Sequence, residues 1–178
     1  MNPTTTTVSV EELIASWPQG PREAVQSTIE TYGQPSEYSA SQVIWHDNKP
    51  WKRTIISREE VPHDFPSPHK DCLEQFIEYQ VPPDKFDELA HYDGSVIVER
   101  TKGLMSARCA GESMNFVAIN LAHQIITDAM TIEQARARYV ELSNAHKDGE
   151  HPPETTRFTF NLPTGNTKDP DRAAPGAK

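Results

Sequence analysis

A short proline-rich segment contains three side chains of the kinds that bind metal ions. His63, His69 and Asp71 lie within the nine residues HDFPSPHKD, and neutral imidazole and carboxylate suit zinc or another first-row divalent metal. The prolines stiffen the segment, so less conformational entropy is lost when the three side chains converge on a cation. His46, near the tip of a predicted hairpin, is a candidate fourth ligand. One hypothesis is therefore a metal-dependent protein, for example a hydrolase, that uses the His63 to Asp71 loop.

The same segment also has a purely structural interpretation. The chain contains no H-E-x-x-H or C-x-x-C motif, and in this interpretation the imidazoles and Asp71 make backbone hydrogen bonds and a helix cap. Motifs of dinucleotide enzymes, P-loop proteins and serine hydrolases are also absent from the sequence. The leading hypothesis is accordingly a small binding or interaction domain without a recognisable catalytic set.

A second group of candidate residues lies on two predicted hairpins and one helix. Residues 1–146 carry 21 acidic and 12 basic side chains, and seven of the basic ones belong to the hairpins. Such an asymmetry marks an anion or partner site, although the solvated face of an antiparallel sheet has a similar composition. Polar residues of the helix are placed to contact a ligand across the sheet. The candidate ligand-binding residues are Arg53, Glu99, Arg100, Arg108, Asn120 and His123.

Cys109 is a candidate nucleophile because it precedes the helix predicted after Gly111 by two residues. A helix N-terminus and the neighbouring Arg108 both favour the thiolate. However, the predicted hairpin places Cys109 on its core face, where a thiol is usually an inert small hydrophobe. Asn115 also stands where a phosphatase loop requires arginine. We therefore expect Cys109 to be a core residue, and we expect both it and Cys72 to be reduced.

The first half of the chain predicts two helices and a hairpin. Ser9 and Glu12 match a capping box, which opens the first helix, and Pro21 is suited to the first turn of the second. β-Branched and aromatic residues on either side of the turn DNKP indicate the hairpin. The predicted elements are helices 10–17 and 21–32 and strands 43–46 and 51–56.

The middle of the chain is less regular in sequence. Three prolines in residues 61–71 predict that no regular element occupies this stretch. Asp71 is placed to cap a short helix over residues 72–79, although the aromatic residues there would also tolerate a strand. Residues 84–91 predict one or two further helical turns.

The clearest element is a second hairpin, with strands 95–101 and 104–109 joined by Lys102 and Gly103. A two-residue loop would pair Thr101 with Leu104 and Glu99 with Ser106. Alternation then places one apolar set on the core face: Val96, Val98, Met105, Ala107 and Cys109. On the other face, Glu99 and Arg108 are expected to lie close enough to pair diagonally.

Two helices complete the predicted fold. Apolar residues at helical spacing follow Gly111 for about 18 residues, and Thr131 with Gln134 matches a second capping box that opens a helix to about residue 146. The order of helices and hairpins predicts an α+β fold, in which an antiparallel sheet built from two hairpins is covered by helices and followed by an extended C-terminal tail.

The chain is expected to divide into a flexible N-terminus (1–8), a single α+β domain (9–146) and a proline-rich tail (147–178). Residues 156–162 alternate between polar and apolar, which is typical of a short strand. We expect Phe158, Phe160 and Leu162 to dock on a folded surface. Docking on a neighbouring copy would make the tail a means of homo-oligomerisation.

Charge and hydropathy narrow the function classes. The chain has a formal net charge of −9 and a pI near 5.2, which argues against non-specific nucleic-acid binding. It contains no apolar run long enough to cross a membrane, and residues 1–10 lack the features of a secretory signal. We therefore expect a cytoplasmic protein whose partner is an unidentified ligand or protein.

Overall fold

The computed structural model describes residues 8–177, so most of the predicted flexible N-terminus lies outside the described residues. Five helices and six strands follow one another as α1 (Val10–Ile14), α2 (Gln19–Tyr32), β1 (Glu37–Tyr38), β2 (Gln42–His46), β3 (Arg53–His63), β4 (His69–Glu78), α3 (Phe86–Tyr92), β5 (Val96–Glu99), β6 (Leu104–Cys109), α4 (Glu112–Ile126) and α5 (Ile132–Lys147). Single 3-10 turns occupy Pro83–Lys85 and Pro153–Thr155.

The strands form one antiparallel sheet in the order β1-β2-β3-β4-β6-β5. Both predicted hairpins are present, as β2 with β3 and as β5 with β6, and helices pack against one face of the sheet. The predicted α+β fold is therefore confirmed. Among the described residues, no helix is both long enough and apolar enough to cross a membrane.

Local sequence signals explain where several helices begin. Ser9 accepts a hydrogen bond from the backbone N–H of Glu12, and the Glu12 side chain accepts one from the backbone N–H of Ser9. Thr131 and Gln134 make the same reciprocal pair at the start of α5. Both predicted capping boxes are thus formed, and each satisfies two backbone donors that a helix start otherwise leaves unpaired.

The core lies between the sheet and α2, α4 and α5. Its largest part gathers residues of β4 to β6 with Trp51, α4 and α5, and a smaller part joins α1 and α2 to β2 and β3. The face predicted for the second hairpin is confirmed, because Val96, Met105, Ala107 and Cys109 are buried and Val98 is partly buried against the core. Only the register differs: Glu99 lies opposite Leu104, two residues away from the predicted pairing.

That shift lengthens the loop to residues 100–103 but leaves each side chain on its predicted face, because strand side chains alternate with a period of two. The predicted pairing of Glu99 with Arg108 is wrong. Glu99 instead pairs with Lys102 at 3.0 Å, while Arg108 lies beside Asp71.

Two predictions for the middle of the chain were wrong. β3 extends to His63 and β4 begins at His69, so the prolines leave only residues 64–68 without regular structure. Residues 72–78 belong to β4, so the predicted short helix is absent and the strand that the aromatic residues also allowed is present. Pairing with both β3 and β6 explains this outcome, because a central strand gains hydrogen bonds on two sides that a short isolated helix lacks.

The C-terminal tail contacts the body along much of its length. Residues 156–162 form no strand, in contrast to the prediction from their alternation, and follow the 3-10 turn at Pro153–Thr155. Phe158, Phe160 and Leu162 nevertheless pack against the main core, as predicted. Further on, Thr167 Oγ1 donates to the carbonyl of Gly103 at 2.9 Å, which fixes the tail at the tip of the second hairpin.

Candidate metal centre

The antiparallel pairing of β3 with β4 brings the three predicted metal ligands together. His63, the last residue of β3, lies directly opposite His69, the first residue of β4. Asp71 follows His69 by two residues and therefore lies on the same face of the sheet. The loop between the strands contains Pro66 and Pro68, which cannot donate to a strand ladder and so help to end both strands here.

The donor atoms of His63, His69 and Asp71, which we call the His–Asp centre, are close enough to share one cation. Nδ1 of His63 lies 3.3 Å from Oδ2 of Asp71, and Nε2 of His69 lies 3.0 Å from Oδ1. One donor atom from each residue lies within 4.8 Å of the other two. Two ligands of a tetrahedral zinc ion are roughly 3.3 Å apart when each bond is about 2.0 Å. The two shortest distances match this spacing, and they involve different oxygens of Asp71.

Outer hydrogen bonds orient the groups of the His–Asp centre. Nδ1 of His69 lies 2.8 Å from the carbonyl of Ser67, and because a carbonyl only accepts, Nδ1 carries the proton there and Nε2 faces the centre. Ser95 Oγ donates to Asp71 Oδ2 at 2.5 Å. On the far side of His63, Nε2 lies 3.6 Å from Oδ1 of Asp93. Such carbonyl and carboxylate partners typically support metal-binding histidines.

Burial sets the electrostatics of the His–Asp centre. The Asp71 side chain is 0% exposed, whereas His63 and His69 are 18% and 19% exposed. Burial raises the pKa of Asp71, but the groups of His69, Ser95 and His63 outweigh burial and hold this pKa below its usual value. In the metal-free protein, the Asp71 carboxylate and then the Cys109 thiol raise the pKa of His69 to about 11.

Oδ1 of Asp71 is buried and accepts no hydrogen bond from the described residues, although Nε2 of His69 is close to it. The geometry therefore brings two atoms together without aligning a hydrogen bond between them. A proton on His69 and a cation bound to both residues are alternative ways to compensate the Asp71 charge, because a metal requires the unprotonated imidazole.

Two further residues lie beside the His–Asp centre. Sγ of Cys109 is 3.4 Å from Nε2 of His69, and the thiol is buried as its predicted core position requires. Nε of Arg108 is 3.9 Å from Oδ2 of Asp71 and has no hydrogen-bond partner among the described residues. Sequence spacing gave no sign of Asp93 or Ser95, because both lie more than twenty residues from Asp71 and reach it only through the order of the strands.

A cavity of about 530 Å³ opens beside His69 and Cys109. It extends from the β3–β4 loop to the start of α4 and the end of α5, and its polar lining includes Ser67, Glu112 and Lys147. Its volume is within the usual range for small-molecule sites. Of the three candidate ligands, only His69 lines this cavity.

His46, the candidate fourth ligand, lies outside the His–Asp centre. It pairs with Arg53, the first residue of β3, whereas His63 is the last residue of that strand. Nε2 of His46 lies 2.7 Å from Oε1 of Glu37, and both side chains are about half exposed. The first hairpin thus points its tip away from the loop that holds the other three ligands.

Two candidate ligand-binding residues of α4 instead hold the tail. Asn120 is buried; its Nδ2 donates to the carbonyls of Glu154 and Arg157, and its Oδ1 accepts from the backbone N–H of Thr159 at 2.8 Å. The ring of His123 stacks on Phe160 at 3.9 Å between centroids. The polar side of α4 that the sequence revealed is therefore covered by the protein's own C-terminal segment.

The other four candidates are dispersed. Arg53 lies over the ring of Phe76, with 4.1 Å from its guanidinium carbon to the ring centroid. Glu99 pairs with Lys102, and Arg100 pairs with two tail carboxylates, Asp169 and Asp171. Arg108 alone reaches the His–Asp centre. The structure therefore does not gather the six residues into one site.

Comparisons with protein-family models, with curated proteins and with solved structures found no match to this chain. The geometry of the His–Asp centre and its surroundings is therefore the basis for any functional assignment.

Proposed function

We propose that the protein binds a divalent first-row transition metal, with zinc as the best fit, through His63, His69 and Asp71. The observation that carries this proposal is the convergence of one donor atom from each residue to within 4.8 Å of the others. Two imidazole nitrogens and one carboxylate oxygen are a common ligand set for zinc. Magnesium and calcium are less suitable because both prefer oxygen ligands.

The outer contacts support the same proposal. Each of the three side chains also has a partner outside the ligand set, namely the Ser67 carbonyl for His69, the Ser95 hydroxyl for Asp71 and the Asp93 carboxylate for His63. A cation would also give the orphaned Oδ1 of Asp71 a partner. In the metal-free protein, the Asp71 carboxylate already has Arg108 and the protonated His69 beside it, so a bound cation would take the place of the His69 proton.

Zinc titration of untagged, chelator-treated protein by calorimetry tests the proposal. We expect one zinc ion per chain, and we expect His69→Ala to weaken binding by at least about a hundredfold because one of three ligands is lost. His46→Ala is the matched control, since this histidine also faces a carboxylate but lies outside the His–Asp centre. Equal losses in both variants, or no zinc binding by the unmodified protein, would overturn the proposal.

The cavity beside His69 favours a second candidate function, a metal-dependent hydrolase. Three protein ligands leave a position for water, and zinc lowers the pKa of bound water to about 7, which generates hydroxide near neutral pH. The partly exposed imidazoles and the adjacent 530 Å³ cavity would give a substrate access to that position.

Hydrolysis of p-nitrophenyl acetate and p-nitrophenyl phosphate tests this second function. Activity that requires zinc, and that is lost in His69→Ala but kept in His46→Ala, would support a hydrolase. Stoichiometric zinc binding without such activity towards either ester would leave metal binding as the function and exclude these two ester classes as substrates.

A further inference from the structure

A second cavity, which we call the basic cavity, lies at the end of the sheet opposite the His–Asp centre. It has a volume of about 290 Å³ and is lined by three segments that are distant in sequence: residues 46–53 of the first hairpin, the tip of the second hairpin at Lys102 and Leu104, and Lys168 of the tail. Phe76 and Glu78, at the end of β4, lie between them. The fold thus brings Lys52 and Arg53 of the first hairpin and Lys102 of the second to one place.

The balance of charge in the basic cavity is positive, in contrast to the net charge of −9 for the chain. Four lysine and arginine side chains line it, Lys52, Arg53, Lys102 and Lys168, against two carboxylates, Asp47 and Glu78. Lys52 pairs with Asp47 at 2.8 Å, and Lys102 pairs with Glu99 at 3.0 Å. Among the described residues, neither Arg53 nor Lys168 has a carboxylate oxygen within 4.0 Å.

Arg53 is the best-placed of the two cations without an acidic partner. Its guanidinium lies over the Phe76 ring, which holds the planar group in one orientation. Its Nε is buried and has no hydrogen-bond partner among the described residues. A guanidinium held in one orientation is suited to bind two oxygens of an anion, because its N–H groups match the geometry of phosphate and carboxylate.

We propose that the basic cavity binds the phosphate group of a small phosphorylated molecule, with Arg53 and Lys168 as its main contacts. Its volume is at the lower limit for ligand pockets, so the anion must be compact. A doubly charged phosphate gains more than a single carboxylate from two cations that lack acidic partners. This site is separate from the His–Asp centre and does not depend on metal binding.

Calorimetric titration with inorganic pyrophosphate tests the proposal on the full-length protein. We expect Arg53→Gln to weaken binding by about tenfold or more, and Lys168→Gln by several-fold, as is usual when a hydrogen bond to a charged group is lost. Lys168 is exposed, so its replacement gives a result even if Arg53→Gln does not fold. Arg53→Lys separates charge from geometry, since it keeps the charge but loses the planar fork.

Arg58→Gln is the matched control, because Arg58 is an exposed arginine of the same strand that does not line the basic cavity. Pyrophosphate affinity should be unchanged in this variant, and citrate should bind more weakly than pyrophosphate. The absence of pyrophosphate binding, equal losses in Arg58→Gln and Lys168→Gln, or equal affinity for citrate would each overturn the proposal.

Discussion

The two ends of the central strands β3 and β4 use charge in different ways. At one end, the His–Asp centre has a carboxylate that is 0% exposed and two imidazoles that are less than one-fifth exposed. At the other end, the basic cavity combines Lys52 and Lys102, whose side chains are 43% and 61% exposed, with one guanidinium fixed over an aromatic ring. The same pair of strands therefore carries a buried donor set and a solvated basic site.

The difference shows that a single charged group has a large effect where it is buried and a small one where it is exposed. A buried carboxylate must be compensated by specific neighbours, because its interaction with water is lost, and so each residue around Asp71 has a large expected effect. Exposed charges are screened by solvent and salt, so the basic cavity depends on several cations together. Substitutions at the His–Asp centre should therefore have larger effects than substitutions at the basic cavity.

Asp71→Asn should produce the largest effect, because it removes the charge at the middle of the His–Asp centre. We expect zinc binding to be lost and the free energy of unfolding of the metal-free protein to fall by about 3 kcal/mol, since the variant leaves His69 without its buried partner. Calorimetry and urea denaturation measure the two effects. The control Glu37→Gln removes the carboxylate beside the exposed His46 and should change neither zinc affinity nor stability. Wild-type zinc affinity in Asp71→Asn would contradict the assignment of Asp71 as a ligand.

Salt should separate the two ends. Raising sodium chloride to about 0.5 M shortens the Debye length to roughly 4 Å, so pyrophosphate affinity at the basic cavity should fall several-fold. Zinc affinity at the buried His–Asp centre should change much less over the same range, once chloride binding to zinc is corrected for. Calorimetric titrations at low and high salt measure both affinities. An equal salt dependence for the two ligands would contradict the distinction between a solvated and a buried site.

Gly103→Ala should detach the tail from the second hairpin and so move Lys168 away from the basic cavity. Gly103 has φ +63°, and an added Cβ would lie 2.2 Å from the carbonyl oxygen of Thr167. We expect a loss of about 1 to 2 kcal/mol in stability and a loss of pyrophosphate affinity like that of Lys168→Gln. Hydrogen exchange over residues 166–169 should also increase.

Gly149→Ala is the control for backbone strain alone, because Gly149 also has a positive φ of +84° but no atom lies within 4 Å of the added Cβ. This variant should lose some stability and keep its pyrophosphate affinity. If both glycine variants bind pyrophosphate equally well, the tail does not contribute Lys168 to the basic cavity.

The smallest predicted effect concerns His123, which contrasts with His69 in the sign of its pKa shift. Burial lowers the pKa of His123. Below about pH 6.5 the unfolded chain therefore binds a proton more readily than the folded protein does, and stability decreases as the pH is lowered. His69, whose pKa is raised, has the opposite dependence: it contributes stability below pH 6.5 that is lost as the pH rises towards about 11.

We expect the His123 contribution to be a few tenths of a kcal/mol between about pH 7 and pH 5.5, because the ring is only partly buried. Urea denaturation of the wild type and of His123→Gln at the two pH values measures it. A pH-dependent loss of stability that is as large in His123→Gln as in the wild type would show that other groups cause the loss.

Much of the fold was predictable from local patterns, and the site was predictable only in part. Capping residues and the alternation around Lys102 identified helix starts and a sheet face without long-range information. His63, His69 and Asp71 were identifiable because all three lie on one short segment. Asp93 and Ser95 were not, and Arg108 was a candidate only for ligand binding, because their approach to Asp71 depends on the placement of β4 next to β6 and of β6 next to β5.

Residues 72–79 show the same limit for secondary structure. Their sequence tolerates helix and strand, and the sheet partners on both sides decide the outcome. For residues 156–162, in contrast, the alternation predicted a strand that does not form. The apolar side chains of these residues are partly buried against the core, and Asn120 satisfies backbone groups of the segment, so the segment docks on a helix without sheet pairing.

Diffraction from a zinc-soaked crystal of the untagged protein, recorded on both sides of the zinc absorption edge, tests the central claim most directly. We expect one anomalous peak at the His–Asp centre, about 2.0 to 2.2 Å from a nitrogen of His63, a nitrogen of His69 and an oxygen of Asp71. A fully soaked crystal with no peak there, or with the two imidazoles turned to different sides of the loop, would contradict it.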